Sequence, residues 1–230
     1  MSNADSDIIK VIAHIHTEFN TKFGIPRQSG IVDQLRGRIV FESEYRNADA
    51  LRGLEGFSHL WLIWQFSEAK QASWSPTVRP PRLGGNTRMG VFATRSPFRP
   101  NSLGLSSVKL IDIDYTSGDA PAIIVAGADL MNGTPIIDIK PYLPYTDSHP
   151  EATGGFTDTG NGMQLLDVTI PDEFTKRIST QTLHALRGVL ACDPRPRYQH
   201  DPERIYGMKF GGHEVKFQVI NNNLIVKSID

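Results

Sequence analysis

The chain has 230 residues, 39% of them apolar, enough to bury a core in one large domain or in a main domain with a smaller companion. A formal net charge of −1 gives no overall sign of a polyanionic partner, and a single cysteine, Cys192, excludes an internal disulfide framework and points to a reducing compartment, the cytoplasm. The N-terminus has no basic segment leading into an apolar stretch, and the run "HLWLIWQF" at 59–66 is too short to cross a bilayer, so neither export nor membrane anchoring is expected.

In chain order, "IIKVIAHIHTEF" (8–19) alternates with Ile9, Val11, Ala13 and Ile15 on one face, which predicts a half-buried strand. Gly24, Pro26 and Gly30 make 22–30 a loop, after which "GRIVFESEY" (37–45) resumes an extended pattern. Asn47 is a plausible N-cap for one or two helical turns over 47–56, followed by a buried strand at 59–66. "MGVFATRS" (89–96), "LGLSSVKLIDID" (103–114) and "AIIVAGADL" (122–130) supply three more strands, separated by Pro and Gly rather than by helices. The polar segments 26–28, 94–104 and 129–145 read as loops at strand ends. Residues 146–163, rich in Gly, Thr and Asp, form a linker, and Phe174, Ile178, Leu183, Leu186, Val189 and Leu190 give 172–193 the period of one helix. Three strands follow, at 204–210, 213–220 and 224–230, joined by Gly211-Gly212 and Asn221–Asn223. The fold class is therefore mainly β: a small β-barrel over 1–145, without the βαβ rhythm of a Rossmann sheet, the linker 146–163, and a small α+β unit over 164–230.

Charge is unevenly placed. From 69 to 111 there is no Asp or Glu, where the average density of the chain predicts about five, and the same stretch holds seven cations, among them Arg88, Arg95 and Arg99. Such a stretch is either ordinary solvated surface or a site for an anion. Metal and triad signatures are missing: His14 and His16 share a strand face without further ligands near them in the sequence, and no GxSxG or phosphate-binding glycine loop occurs, so no metal is expected.

The segments "PRQ" (26–28), "GLEGFSHLWLIWQF" (53–66), "PTVRPPRLGGNTRMGVFATRSPFRPNSLG" (76–104), "DLMNGTPIIDIKPYLPY" (129–145) and "DPRPRY" (193–198) closely resemble the TrmO (TsaA-like, YaeB) family of tRNA methyltransferases. The resemblance implies a β-barrel enzyme dependent on S-adenosylmethionine, usually a homodimer, acting on the exocyclic amine of threonylcarbamoylated adenosine beside the anticodon of a threonine tRNA. It assigns donor contacts to Pro26, Arg27, Gln28, Phe66, Ser67, Arg95, Leu105, Asp129, Leu130, Met131 and Asn132. Where many relatives carry Phe-His, this chain has Phe66-Ser67, which puts that histidine's side-chain contact in question.

The chemistry of these residues suits a sulfonium donor. Leu105 and Met131 offer an apolar slot, Arg95 suits a carboxylate or phosphate, and Asp129 can accept from a hydroxyl or ammonium. "DIKPY" (138–142) offers Asp138 to polarise the target amine and Tyr142 to stack on its base, with a structural role as the alternative. Arg88, Arg99, Lys140, Arg195 and Arg197 are candidate contacts to tRNA phosphates. Two other readings stay open: a noncatalytic RNA-binding module, and transfer of the methyl group to a small metabolite.

Overall fold

The computed structural model describes residues 9–68, 74–158, 164–196, 199 and 201–230. Strands β1 (Ala13–His16), β2 (Arg36–Phe41) and β3 (His59–Gln65) are followed by a small ribbon, β4 (Thr77–Val78) with β5 (Met89–Gly90), and then by β6 (Leu103–Asp114), β7 (Ala122–Ala126) and β8 (Thr134–Pro141). The six long strands close an antiparallel barrel in the order β1-β2-β7-β6-β3-β8. Alternate residues point inward, so Ile15, Ile39, Leu60, Leu62, Val108, Ile123, Val125 and Ile136 fill the interior, and burial of each contributes roughly 1.5–3 kcal/mol. Gly37 is the small residue this packing requires, because a Cβ there would lie 2.7 Å from the Ile15 Cδ1.

The direction of the strands places the loops. β1, β3 and β7 run the same way, so the segments that follow them, 17–35, 66–68 with 74–102, and 127–133, emerge at one mouth of the barrel. Segments 42–58 and 115–121 and the residues directly after β8 lie at the far end, whereas the C-terminal unit packs on the 17–35 segment at the mouth.

After α1 (Pro144–Asp147) and β9 (Asp167–Thr169), the chain forms α2 (Asp172–Thr175), α3 (Thr180–Ala191) and the strands β10 (Ile205–Phe210), β11 (His213–Ile220) and β12 (Asn223–Ile229). These strands make a sheet of order β10-β11-β12-β9, with β9 parallel to β12. Ala185, Leu186, Val189 and Leu190 of α3 bury against Met208, Phe217, Val219 and Val226. Phe19, Val32 and Leu35, from the segment between β1 and β2, complete this second core.

Four expectations change. The first strand is shorter than 8–19, because the Thr17 N–H turns to the Asn132 Oδ1 at 3.2 Å and its hydroxyl to the Leu130 carbonyl at 3.0 Å, which steers Phe19 out of the barrel. The stretch 89–96 is extended only at Met89–Gly90, since Thr94 closes a 3-10 turn by donating its N–H to the Val91 carbonyl at 3.2 Å. The supposed loop 129–145 contains β8, whose Pro135 sits beside the start of the strand, where a missing N–H is tolerated, while Thr134 and Ile136 face inward. The single helix over 172–193 is two, because Ser179 starts α3 afresh by accepting the Thr182 N–H at 3.1 Å. Asn47, as expected, caps a turn by accepting the Asp49 N–H at 2.9 Å.

Candidate functional site

A cleft of about 730 Å³ opens at the mouth of the barrel and continues over the outer face of β3 and β6. Three separate segments converge on it: Lys22 and Ile25–Gln28 after β1, Phe66–Glu68 with Thr94, Arg95 and Pro97–Arg99 after β3, and Asp129–Met131 after β7. Leu105 stands opposite Ile63 in the β3–β6 register, and both line the wall with Trp61. A β-bulge between Ile63 and Trp64 in the β3–β8 pairing falls at this point, where bulges commonly re-aim a side chain. The Trp64 ring meets Phe66 edge-on with centroids 4.3 Å apart.

Ten of the eleven expected donor contacts line this cleft: Pro26, Arg27, Gln28, Phe66, Ser67, Arg95, Leu105, Asp129, Leu130 and Met131. Asn132 does not, because its side-chain oxygen accepts the Thr17 N–H and its amide donates to Asn20 at 3.3 Å, fixing the segment after β1. Sequence reasoning missed Trp61, Ile63 and Trp64. The run 59–66 reads as continuously apolar, yet its residues alternate between the core and the cleft.

A buried polar relay ends in this space. The Trp64 indole N–H donates to the Ser106 hydroxyl at 3.0 Å, and that hydroxyl donates to the Asp129 Oδ1 at 2.7 Å. Burial pushes the Asp129 carboxyl above its ordinary value, an effect opposed by the Ser106 hydrogen bond and by the charge of Arg95. Arg95 donates to the side-chain oxygen of Gln28, and Gln28 in turn donates to the Arg27 carbonyl. The cleft therefore combines apolar walls with a guanidinium on one side and a desolvated carboxylate on another. Among the described residues, no group of three or more His, Cys, Asp and Glu is placed to hold a metal, and no helix is long and apolar enough to cross a membrane.

The remaining candidates are dispersed. Asp138 lies outside the cleft: it is ion-paired to Lys140 at 2.8 Å and lines a separate cavity of about 400 Å³ with Tyr45 and Leu51. Tyr142 packs on Trp61 at 5.5 Å and on His59 at 6.2 Å rather than lining the cleft. Arg99 lines the cleft and braces its loop by donating to the Thr94 carbonyl at 2.9 Å. Arg88 is exposed and donates to the Thr77 hydroxyl at 3.0 Å across the ribbon. Arg195 is not presented to a phosphate: its side chain is 9% exposed and grips Asp193 through two hydrogen bonds of 2.8 and 2.9 Å. Arg197 lies outside the described residues. His14 pairs with Glu42 at 2.8 Å, a surface contact.

A closed antiparallel barrel whose mouth loops build a cleft for a compact ligand with an apolar body and charged ends defines a class of binding site unlike the helix N-terminus of a doubly wound parallel sheet. The chain belongs to the TrmO family: the family models for the tRNA-methyltransferase O N-terminal domain and the TrmO C-terminal domain match residues 14–148 and 163–230. It is 39% identical over 227 residues to the tRNA (adenine(37)-N6)-methyltransferase of Escherichia coli K12, covering 95% of this chain and 96% of that one. It is 42% identical over 178 residues to the enzyme of the same name from Eikenella corrodens, covering 75% of this chain and 97% of that one. A crystal structure of TrmO from Pseudomonas aeruginosa superposes with a TM-score of 0.80 at 28% identity, covering 98% of each chain.

Proposed function

We propose that this protein transfers a methyl group from S-adenosylmethionine to the exocyclic nitrogen of N6-threonylcarbamoyladenosine at position 37 of tRNA, with threonine tRNA as the preferred substrate. The observation that supports the reading is that ten residues expected to contact the donor, drawn from three loops and β6, line one cleft of about 730 Å³. That volume is within the range of small-ligand sites, and the lining fits the donor's parts. Leu105, Met131 and the Phe66 edge suit the adenine, while Arg95 suits the carboxylate. Asp129, its Oδ1 fixed by Ser106, suits the ribose hydroxyls or the ammonium.

When bound, S-adenosylmethionine supplies an electrophilic methyl group on a sulfonium. The protein's part is to hold the donor and the target nitrogen in line, which replaces a costly encounter by a fixed approach. The amine is weakly nucleophilic because its lone pair is delocalised, and acylation makes its remaining proton more acidic. Exchange of the S–C bond for the new N–C bond would require that proton to pass to an acceptor at the cleft. Asp138 lies outside the cleft and is paired with Lys140, whereas Asp129 and Glu68 are the carboxylates that line it among the described residues.

Incubating purified protein with methyl-labelled donor and tRNA, followed by mass spectrometry of the nucleosides, tests the proposal. One labelled methyl on threonylcarbamoyladenosine is the expected product, formed fastest on threonine tRNA. Equal rates on tRNA lacking the threonylcarbamoyl group, or label found only in small metabolites, overturns the substrate assignment.

A further inference from the structure

Beside the cleft stands a pair of aromatic rings that the donor contacts do not use. Residues Val91–Ala93 form one 3-10 turn, fastened by the Val91 N–H to the Pro76 carbonyl at 2.9 Å. Val91 anchors the turn at 1% exposure, and so tight a turn directs the next side chain outward: Phe92 is 72% exposed. Its ring centroid is 6.3 Å from that of Trp74, itself 51% exposed, with the planes tilted by 31°. The Arg99 guanidinium lies 6.0 Å from the Phe92 centroid and also lines the donor cleft, so one side chain joins the two features.

We propose that Trp74 and Phe92 form a stacking platform for a nucleobase of the tRNA loop that carries the target adenosine, with Arg99 bridging platform and cleft. The proposal rests on the reading of this chain as a tRNA methyltransferase. A target base has to leave its stack to meet the donor, and its neighbour then loses a stacking partner. Exposed aromatic rings beside the cleft supply a replacement for any base, since every base has a π-face. The surroundings suit a polyanion: the stretch 69–111, which contains both rings and Arg99, has no Asp or Glu. Two large rings held out in water by a buried anchor mark an interaction surface, and the acid-free basic setting favours RNA over an apolar protein face.

The test compares wild type with Phe92→Leu, Trp74→Leu and Phe92→Tyr in full-length protein, using threonylcarbamoylated tRNA. Each Leu variant should raise Kd for tRNA and KM about tenfold, by loss of a ring at constant apolarity. Phe92→Tyr should retain wild-type values. Donor affinity and melting temperature should not move, and the salt dependence of tRNA binding should keep its slope, because no charge is removed. Folded Leu variants with unchanged KM and Kd, or with a loss confined to kcat, overturn the platform alone. So does a fall in oligomeric mass by sedimentation, which assigns the rings to a contact between copies of the chain. If wild type itself neither binds nor methylates tRNA, the functional reading fails and takes the platform with it.

Discussion

Arg38, whose partners lie at the far end of the barrel, and the mouth arginines Arg95 and Arg99 use their guanidiniums in opposite ways. Arg38 donates to Asp114 at 2.9 Å, to Asp119 at 2.5 Å and to the Ser117 hydroxyl. Its hydrogen bonds, with those of Ser117, push Asp119 down to about 2. Asp114 is also held below its ordinary value, by Ser117 and the Thr116 N–H as well as Arg38. At the mouth, Arg95 and Arg99 donate to the Gln28 side chain and to the carbonyls of Thr94 and Ser96, all neutral acceptors. Carboxylate partners cancel a guanidinium's charge, whereas neutral acceptors orient it and leave the charge available. Arg38 is thus neutralised by the carboxylates of its own chain, and Arg95 and Arg99 keep their charge beside the cleft.

The largest expected effect separates the ends by steric fit. A Cβ on Gly104 would lie 2.3 Å from the Trp64 ring, which cannot move without disturbing the relay to Ser106 and Asp129. Gly104→Ala should therefore cost about 1–3 kcal/mol of stability and abolish measurable donor binding. Gly118→Ala at the far end meets nothing within 4 Å and should stay within about 0.5 kcal/mol of wild type. Denaturant melts and calorimetric titration with the donor check both, and equal behaviour of the two variants would break the comparison.

Next in size, Arg95→Ala should weaken donor binding by about 10- to 150-fold, the loss of a charge-assisted contact worth on the order of 1.5–3 kcal/mol. Arg38→Ala should leave donor affinity unchanged and lower the melting temperature instead. An Arg95 variant that is folded and binds the donor normally removes that residue from the site.

Acid sharpens the contrast, because the carboxyls at the two ends are shifted in opposite directions. Asp119, whose native value is depressed, contributes stability that is complete above its unfolded value and lost as pH falls toward about 2. Asp129, whose native value is raised, carries no penalty below the ordinary carboxylate range; the cost builds as pH rises from the unfolded value to the raised native one and is complete above it. At neutral pH, Asp119→Asn should therefore destabilise and Asp129→Asn stabilise, both differences shrinking in acid, while Asp129→Asn loses donor affinity. Thermal melts at pH 7 and pH 3 with the same sign for both variants would contradict the assignment.

The smallest effect concerns RNA. Arg88→Ala should reduce the slope of log affinity against log salt by about 1. Arg195→Ala should leave that slope unchanged, because Asp193 already neutralises its fork. A slope change for Arg195 would restore it to the phosphate track.

Much of this contrast was written in the chain. The stretch 69–111 lacks acids, and among the described residues the guanidiniums at 95 and 99 hydrogen-bond to neutral acceptors, whereas Arg195 follows Asp193 by two residues and is consumed by it. β2, whose burial alternates without a break from Arg36 to Phe41, was legible for the same local reason. β8 was not, because Pro135, Asp138, Lys140 and Pro141 have the composition of a loop and become a strand only when β1 and β3 pair with it from both sides. The outward faces of Trp61 and Ile63 were hidden likewise: a groove that needs an apolar outer wall erases the polar beat by which a half-buried strand is recognised. Asp138 looked catalytic by local motif, yet the side to which a strand residue points is fixed by register, and register is a property of the neighbours.

The segment between β1 and β2 gives one wall of the cleft through Ile25–Gln28, and gives Phe19, Val32 and Leu35 to the C-terminal core, where Gly24 and Gly188 leave no room for a methyl against Met208 and Val32. Cleft and C-terminal sheet therefore share one segment. Ligand that binds at the mouth lowers the free energy of the same segment that seals the second core, so slowed amide exchange should reach β10–β12, well away from any atom that touches the donor.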